Sequence, residues 1–273
     1  MREVKAAWTT VAVAAAVTLV AGPAHADTPS HFARTSDTNC LNKAQPGGCD
    51  SPDEYPLAVS AEVKDGGAQV GRTNLILSPF GEVTVVATED DTGFSGGWQV
   101  TTSSACHLPP VDWEVVASSS AQRSATATCR PGMKVYTAGG GVSGGLGNVM
   151  LERLRIAPDL GSVTVAGSED DDGFAGPWAV TAQAICGTPH AGQTRRSATT
   201  AVDSAATKTV VASCQGAGRV HGVGGEITGG GGQVRIVAVK EDDKVSGVRI
   251  TATEDEDGYA GVWSATAYAV CAP

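Results

Sequence analysis

Apolar and polar residues alternate with a period of two along much of this chain. Val83, Val85 and Ala87 alternate with mostly polar neighbours, as do Val163 and Val165, and again Val248, Ile250 and Ala252. A second set runs through Trp98, Val100 and Cys106. It is matched by Trp178, Val180, Ala182, Ala184 and Cys186, and by Trp263, Ala265, Ala267, Ala269 and Cys271. Successive side chains of a strand point to opposite faces, so each set lines one face of a β-strand. The even spacing puts each Trp on the same face as its Cys, which predicts a Trp that fills core space. Ala125, Ala127 and Cys129, and likewise Val210, Ala212 and Cys214, predict opening strands. No helical period competes, and a composition rich in Gly, Ala, Val, Thr and Ser agrees. The predicted fold class is all-β.

The alternation is punctuated by an acidic segment that occurs three times. It reads Glu89-Asp90-Asp91-Thr92-Gly93-Phe94-Ser95-Gly96-Gly97-Trp98, then Glu169-Asp170-Asp171-Asp172-Gly173-Phe174-Ala175-Gly176-Pro177-Trp178, then Glu254-Asp255-Glu256-Asp257-Gly258-Tyr259-Ala260-Gly261-Val262-Trp263. The Trp recurs after 80 and then 85 residues. Such a period marks a repeated supersecondary unit. The cysteines keep the same register: Cys49 and Cys106, Cys129 and Cys186, and Cys214 and Cys271 are each 57 apart. Equal intervals in an exported chain predict one disulfide per unit. Cys40 is left over, and because Arg34 to Cys40 matches the spacing of Arg123 to Cys129, Cys40 is the alternative partner of Cys106.

These boundaries divide the chain into a signal peptide (1–26), an N-terminal segment (27–48), repeat 1 (49–106), a connector (107–128), repeat 2 (129–186), a second connector (187–213) and repeat 3 (214–271). Each unit reads as four antiparallel strands. Gly139 to Gly141 with Gly144 and Gly145, and Gly224 and Gly225 with Gly229 to Gly232, are read as bulges and turns after the opening strand. Two arrangements fit: one pseudo-threefold, β-prism-like body, or three small β-sandwich modules in tandem. The connectors end in strand-like runs rather than in free linkers, which favours the single body.

The units resemble repeats of secreted actinobacterial proteins that have no assigned activity. The matching features are Cys129-Arg130-Pro131-Gly132, the double Gly after it, and the ending from Trp263 to Ala267-Tyr268-Ala269-Val270-Cys271. The three-fold repetition, the Gly-Gly after a Cys and the acidic turn are also similar to the vitelline-membrane-outer-layer family. That family is a triplicated β-prism resembling some sugar-binding lectins. The first unit departs from the pattern, with Asp50 to Pro56 in place of the Gly-rich opening.

Export is expected from the first residues. Arg2 and Lys5 precede an apolar run from Val11 to Ala21, and Ala24-His25-Ala26 reads as a cleavage site. Beyond residue 26 the chain carries 17 Lys and Arg against 28 Asp and Glu. A net charge of −11 repels phosphate, so neither nucleic acid nor an anionic membrane is the expected partner. The expected location is extracellular.

Candidate chemistry gathers in the acidic turns. Asp90, Asp91, Asp170, Asp172, Asp255 and Asp257 are hard oxygen ligands spaced to contribute to calcium coordination. Gly93, Gly173 and Gly258 equally suit plain hairpin turns. Phe94, Phe174 and Tyr259 beside them, and Trp113 outside the repeat, are the aromatic candidates for meeting a ligand. No catalytic residue is predicted. His31, His107, His190 and His221 follow no repeat logic, and Gly-x-Ser-x-Gly around Ser95 and Ser143 lacks the strand-to-helix turn of a nucleophile elbow. The expected function is therefore a secreted, lectin-like protein that recognises cell-wall or environmental polysaccharide, with calcium as its candidate cofactor. The alternatives are a structural or protective extracellular protein, and a protease inhibitor presenting Gln193-Thr194-Arg195-Arg196-Ser197 as a loop.

Overall fold

A computed structural model describes residues 30–145, 147–242 and 246–273. The signal peptide expected at 1–26 lies outside the described residues. The described chain is all-β, with no helix and eighteen strands. The first six are β1 (Ser30–Thr35), β2 (Lys43–Gly47), β3 (Tyr55–Lys64), β4 (Val70–Leu77), β5 (Val83–Glu89) and β6 (Gln99–His107). The next six are β7 (Glu114–Ser120), β8 (Ser124–Thr128), β9 (Lys134–Ser143), β10 (Val149–Ile156), β11 (Ser162–Glu169) and β12 (Ala179–Gly187). The last are β13 (Thr194–Thr199), β14 (Thr207–Ser213), β15 (Arg219–Thr228), β16 (Val234–Asp242), β17 (Gly247–Glu254) and β18 (Ser264–Ala272).

They form three antiparallel six-stranded sheets. Sheet I has the order β1-β6-β3-β16-β17-β14, sheet II β13-β18-β15-β10-β11-β8, and sheet III β2-β5-β4-β9-β12-β7. Each eighty-residue stretch therefore has six strands, not the four expected, and splits them between two sheets. The modules-in-tandem arrangement does not describe this topology. The opening strands expected at Ala125–Cys129 and Val210–Cys214 are β8 and β14, whereas β7 and β13 in the connectors and the glycine-bearing β9 and β15 were not expected. The segments read as an N-terminal segment and two connectors supply β1, β2, β7, β8, β13 and β14, which are the six sheet edges. An edge strand such as the Ser-rich β7 buries little, so its apolar alternation is faint.

At the middle of each sheet two stretches meet in a short seam: Asn74 and Leu75 with Gly141 and Gly140, Arg153 and Leu154 with Glu226 and Gly225, and Ala238 and Val239 with Glu62 and Ala61. The glycine clusters serve these seams. Gly139 to Gly141 lie inside β9 and Gly224 and Gly225 inside β15, not in turns as expected. Gly140 has φ 130°, and a Cβ there would fall 2.1 Å from the Thr181 carbonyl oxygen. One at Gly141 would fall 2.5 Å from the Thr73 carbonyl oxygen, so in sheet III glycine lets β9 lie this close to β4, while the other two seams carry Glu226 and Glu62 at that place.

The disulfides are Cys49–Cys106, Cys129–Cys186 and Cys214–Cys271, with Cα separations of 5.8, 5.6 and 5.5 Å. Each clips the end of an edge strand of one sheet to a central strand of another. Cys40 is exposed and takes no part in a disulfide, which closes the Cys40 alternative. Three bridges suit an extracellular or otherwise oxidising environment.

Trp98 and Trp263 are wholly buried, as the shared face predicted, whereas Trp178 is only partly so. The difference is local. Asn39 bridges to Trp98 and Asp203 to Trp263, and the Lys43 and Lys208 ammonium groups sit 4.4 and 4.6 Å over the two indole rings. In the middle stretch β7 and β8 are joined by only 121–123, so nothing equivalent covers Trp178. Arg123 there extends to Glu169 at 3.7 Å.

Candidate functional site

The acidic turns follow β5, β11 and β17, and the strand registers bring all three to one end of the sheets. Within each, the first carboxylate takes the indole N–H of the Trp nine residues on: Trp98 Nε1 to Glu89 at 2.5 Å, Trp178 to Glu169 at 2.7 Å and Trp263 to Glu254 at 3.0 Å. In the first two turns the second carboxylate closes the turn: Gly93 N–H donates to Asp90 Oδ1 at 3.0 Å and Gly173 N–H to Asp170 Oδ1 at 3.1 Å. In the third, Gly258 N–H donates to the Asp255 backbone carbonyl at 3.3 Å instead. The three glycines have φ of 70°, 73° and 76°, the left-handed conformation such turns require.

Asp90, Asp91, Asp170, Asp172, Asp255 and Asp257 thus surround one point together with Thr92, Asp171 and Glu256. The space among them is only about 10 Å³, because Arg235 from β16 occupies the centre. Its guanidinium is 3 % exposed and lies 2.8 Å from Asp90, 4.0 Å from Asp255 and 3.9 Å from Glu256. The turns are tied to one another as well: Thr92 Oγ1 donates to Glu256 at 2.8 Å and Asn148 Nδ2 to Asp91 at 2.9 Å. A Cβ at Gly71 would lie 3.0 Å from Met150 Sδ and 3.4 Å from Arg235 Cδ, so one guanidinium serves where the facing strands offer Gly71 and Met150. Burial, with the neighbouring Asp91, raises Asp170 to about 6. Burial raises Asp255 to about 6 against the lowering effect of Arg235, with Glu256 adding to the rise. The six calcium candidates therefore do come together, around an arginine that already supplies positive charge. Among the described residues no group of three His, Cys, Asp or Glu is arranged to hold a metal.

The aromatic candidates are placed less openly. Phe94, Phe174 and Tyr259 are half-buried and fold back on their own turns. A Cβ at Gly96, Gly176 or Gly261 would meet these rings at 2.7, 2.6 and 2.5 Å, so each ring caps the core beside its turn. Trp113 is also partly buried, its ring 4.6 Å from Tyr55.

Sequence reasoning passed over two features. The first is an open cleft of about 330 Å³ lined by Phe32, Arg34, Pro46, Glu54, Phe80 and Glu82. Phe80 is 89 % exposed at the tip of a turn in which Phe80 N–H donates to Ser78 Oγ at 3.1 Å and Gly81 takes φ 83°. The Arg34 guanidinium lies 4.7 Å over the Phe32 ring. The signal available was Ser78-Pro79-Phe80-Gly81, a turn sequence presenting a large aromatic. The second is a histidine cluster at the end of the strands remote from the acidic turns. His107 stacks on His221 at 4.5 Å, and His190 lies 5.8 Å from His221. Burial, with His107, His190 and Arg219 adding to it, pushes His221 down to about 3.

Gln193-Thr194-Arg195-Arg196-Ser197, read as an inhibitory loop, lies largely within β13. Thr194 to Thr199 pairs with β18 from Cys271 to Thr266. It is a hydrogen-bonded edge strand and not a protruding loop.

Comparison of the chain with models of protein families found no match, and comparison with curated proteins found none either.

Proposed function

We propose that this is a secreted, non-catalytic, lectin-like protein that recognises cell-wall or environmental polysaccharide, and that its three sheets make one pseudo-threefold, β-prism-like body. The cyclic sharing of strands among the sheets supports that body. The observation that carries the function is the cleft at Phe32 and Phe80. An exposed aromatic face beside Arg34, Glu54 and Glu82 matches a sugar, whose C–H face stacks on a ring while its hydroxyls bond charged groups at the edge. Calcium enters this reading at the outer carboxylates of the acidic turns, Asp91, Asp172 and Asp257, since Asp90 is engaged by Arg235. The resemblance to triplicated β-prisms points the same way.

The test is retention of the mature protein on chitin, cellulose and bacterial cell walls, each with calcium and with a chelator, beside a Phe80→Ala variant. The expected result is retention on one matrix that the variant weakens about tenfold, the loss of one stacking contact of roughly 1.4 kcal/mol. Retention lost to the chelator assigns calcium to the site. Absence of retention on every matrix overturns the polysaccharide reading and leaves a structural or protective role.

A further inference from the structure

The outer faces of the three sheets carry different chemistry at corresponding positions of the seam. In sheet I, Lys240 pairs with Glu62. In sheet III the corresponding residues are Ile76, Gly141 and Gln183, and the Gln183 amide is engaged in both directions by the Leu77 backbone at 3.0 Å. Sheet II gathers three arginines there, where sheet I sets two lysines, Lys64 and Lys240, against Glu62.

Arg153 and Arg155 both approach one carboxylate, Glu226. That carboxylate already accepts from Arg153 Nε at Oε1, 2.7 Å, and from the Tyr268 hydroxyl at Oε2, 2.8 Å. Arg155 is left 3.8 Å from it and is 44 % exposed. Arg195 is held in place by donating to the Ile156 carbonyl at 2.8 Å and by lying 4.9 Å over the Tyr268 ring. Arg155, Arg195, Tyr268, Thr164, Ala157 and Pro158 line a cleft of about 430 Å³. Gly224 pairs with Tyr268, so the strand between Tyr268 and Arg155 adds no side chain there. A chain that is net negative thus presents a cationic cleft, Arg155 and Arg195, in which the carboxylate paired with Arg155, Glu226, also neutralises Arg153.

We propose that this cleft binds an oxyanion borne on a sugar chain, either a uronate carboxylate or a sugar-linked phosphate, between Arg155 and Arg195. Planar guanidinium forks bind carboxylate and phosphate oxygens in pairs, and a fork already fixed by Ile156 and Tyr268 loses little freedom in doing so. The inference rests on the polysaccharide reading for its sugar chain, but its site is separate from the Phe80 cleft.

The experiment is calorimetric titration of the mature protein with a galacturonate oligomer, a glycerol-phosphate oligomer and a neutral galactose oligomer. It is repeated on Arg155→Gln, Arg195→Gln and the double variant, with thermal unfolding run on each to show that it is folded. One acidic oligomer is expected to bind, the neutral one not to, and each single variant to lose about tenfold in affinity. Which acidic oligomer binds names the oxyanion. Binding should weaken with added salt, and Phe80→Ala is titrated alongside to tell the two clefts apart. Equal binding of acidic and neutral oligomers, no binding of either acidic oligomer, or undiminished binding by the folded double variant overturns the proposal. Acidic binding lost in Phe80→Ala but kept in the double variant assigns the ligand to the other cleft and overturns it too.

Discussion

Arg72 stands in β4 where the corresponding strands carry Leu151 in β10 and Ile236 in β16, each just before the bulge that precedes the seam. Leu151 and Ile236 are core residues, and Arg72 is 2 % exposed. None of its three guanidinium nitrogens has a hydrogen-bond partner. Burial lowers its pKa from the ordinary arginine value to about 10. A cation whose folded pKa is depressed costs stability at every pH below that value, and the cost is released only as pH rises above it towards the ordinary value. At about 1.4 kcal/mol per pH unit the cost near neutrality is about 3 kcal/mol. Arg72→Leu removes it, and the void left by the shorter side chain is offset by new apolar burial. Replacing buried charge with packed apolar groups has this sign in general. For a chain of this size the midpoint of thermal unfolding should rise by about 6–12 °C. Denaturant unfolding should give a higher midpoint at unchanged slope. Leu151→Arg is the converse and should destabilise by a comparable amount. An unchanged or lowered midpoint for Arg72→Leu refutes the reasoning, since it would mean that the guanidinium has a favourable partner in the folded protein.

Three further outcomes are expected. Replacing both Cys214 and Cys271 by Ala opens a bridge that spans 57 residues and should cost about 4 kcal/mol by chain entropy; a loss below about 1 kcal/mol in denaturant unfolding would show that packing alone joins sheets I and II there. His221 has a depressed folded pKa, so it costs nothing above its unfolded value of 6.5 and costs progressively more as pH falls from there towards 3. The raised Asp170 and Asp255 act oppositely, adding stability as pH falls from about 6 towards 3.8. His221→Leu, which copies Leu57 at the matching place in β3, leaves those carboxylates alone, so its midpoint minus that of the parent should grow between pH 7 and pH 4; a constant difference contradicts the buried imidazole reading. Glu254→Gln weakens the acceptor for the buried Trp263 indole N–H and should destabilise by about 1 kcal/mol, with no change in unfolding midpoint counting against the bond.

The legible part of the site was its local part. Turn residues and a glycine with φ > 0 are short-range matters, so the acidic hairpins could be found from Asp170 to Gly173 alone. That Asp90, Asp170 and Asp255 meet around Arg235 was not legible, because β16 carries Arg235 where β4 and β10 carry Gly71 and Met150, and no periodicity marks it. The Phe32–Phe80 cleft and the cationic cleft were hidden for a related reason. Phe32 and Phe80 are 48 positions apart in the chain, and Arg155 and Arg195 are 40 apart. Only strand pairing makes neighbours of them.

By itself the sequence determined the all-β class, the disulfides Cys129–Cys186 and Cys214–Cys271 and the buried Trp98 and Trp263, and it left the partner of Cys106 to the structure. Period-two alternation and equal cysteine spacing are consequences of strand geometry that survive in one dimension. The tertiary structure decided the six-strand count, the division of every stretch between two sheets, and the identity of Gly140 and Gly141 as seam residues. It alone placed Arg235 among the acidic turns and joined His107, His190 and His221. Those results depend on which strand edges meet, and edge pairing is set by backbone hydrogen bonds between distant segments, which leave almost no trace in side-chain pattern.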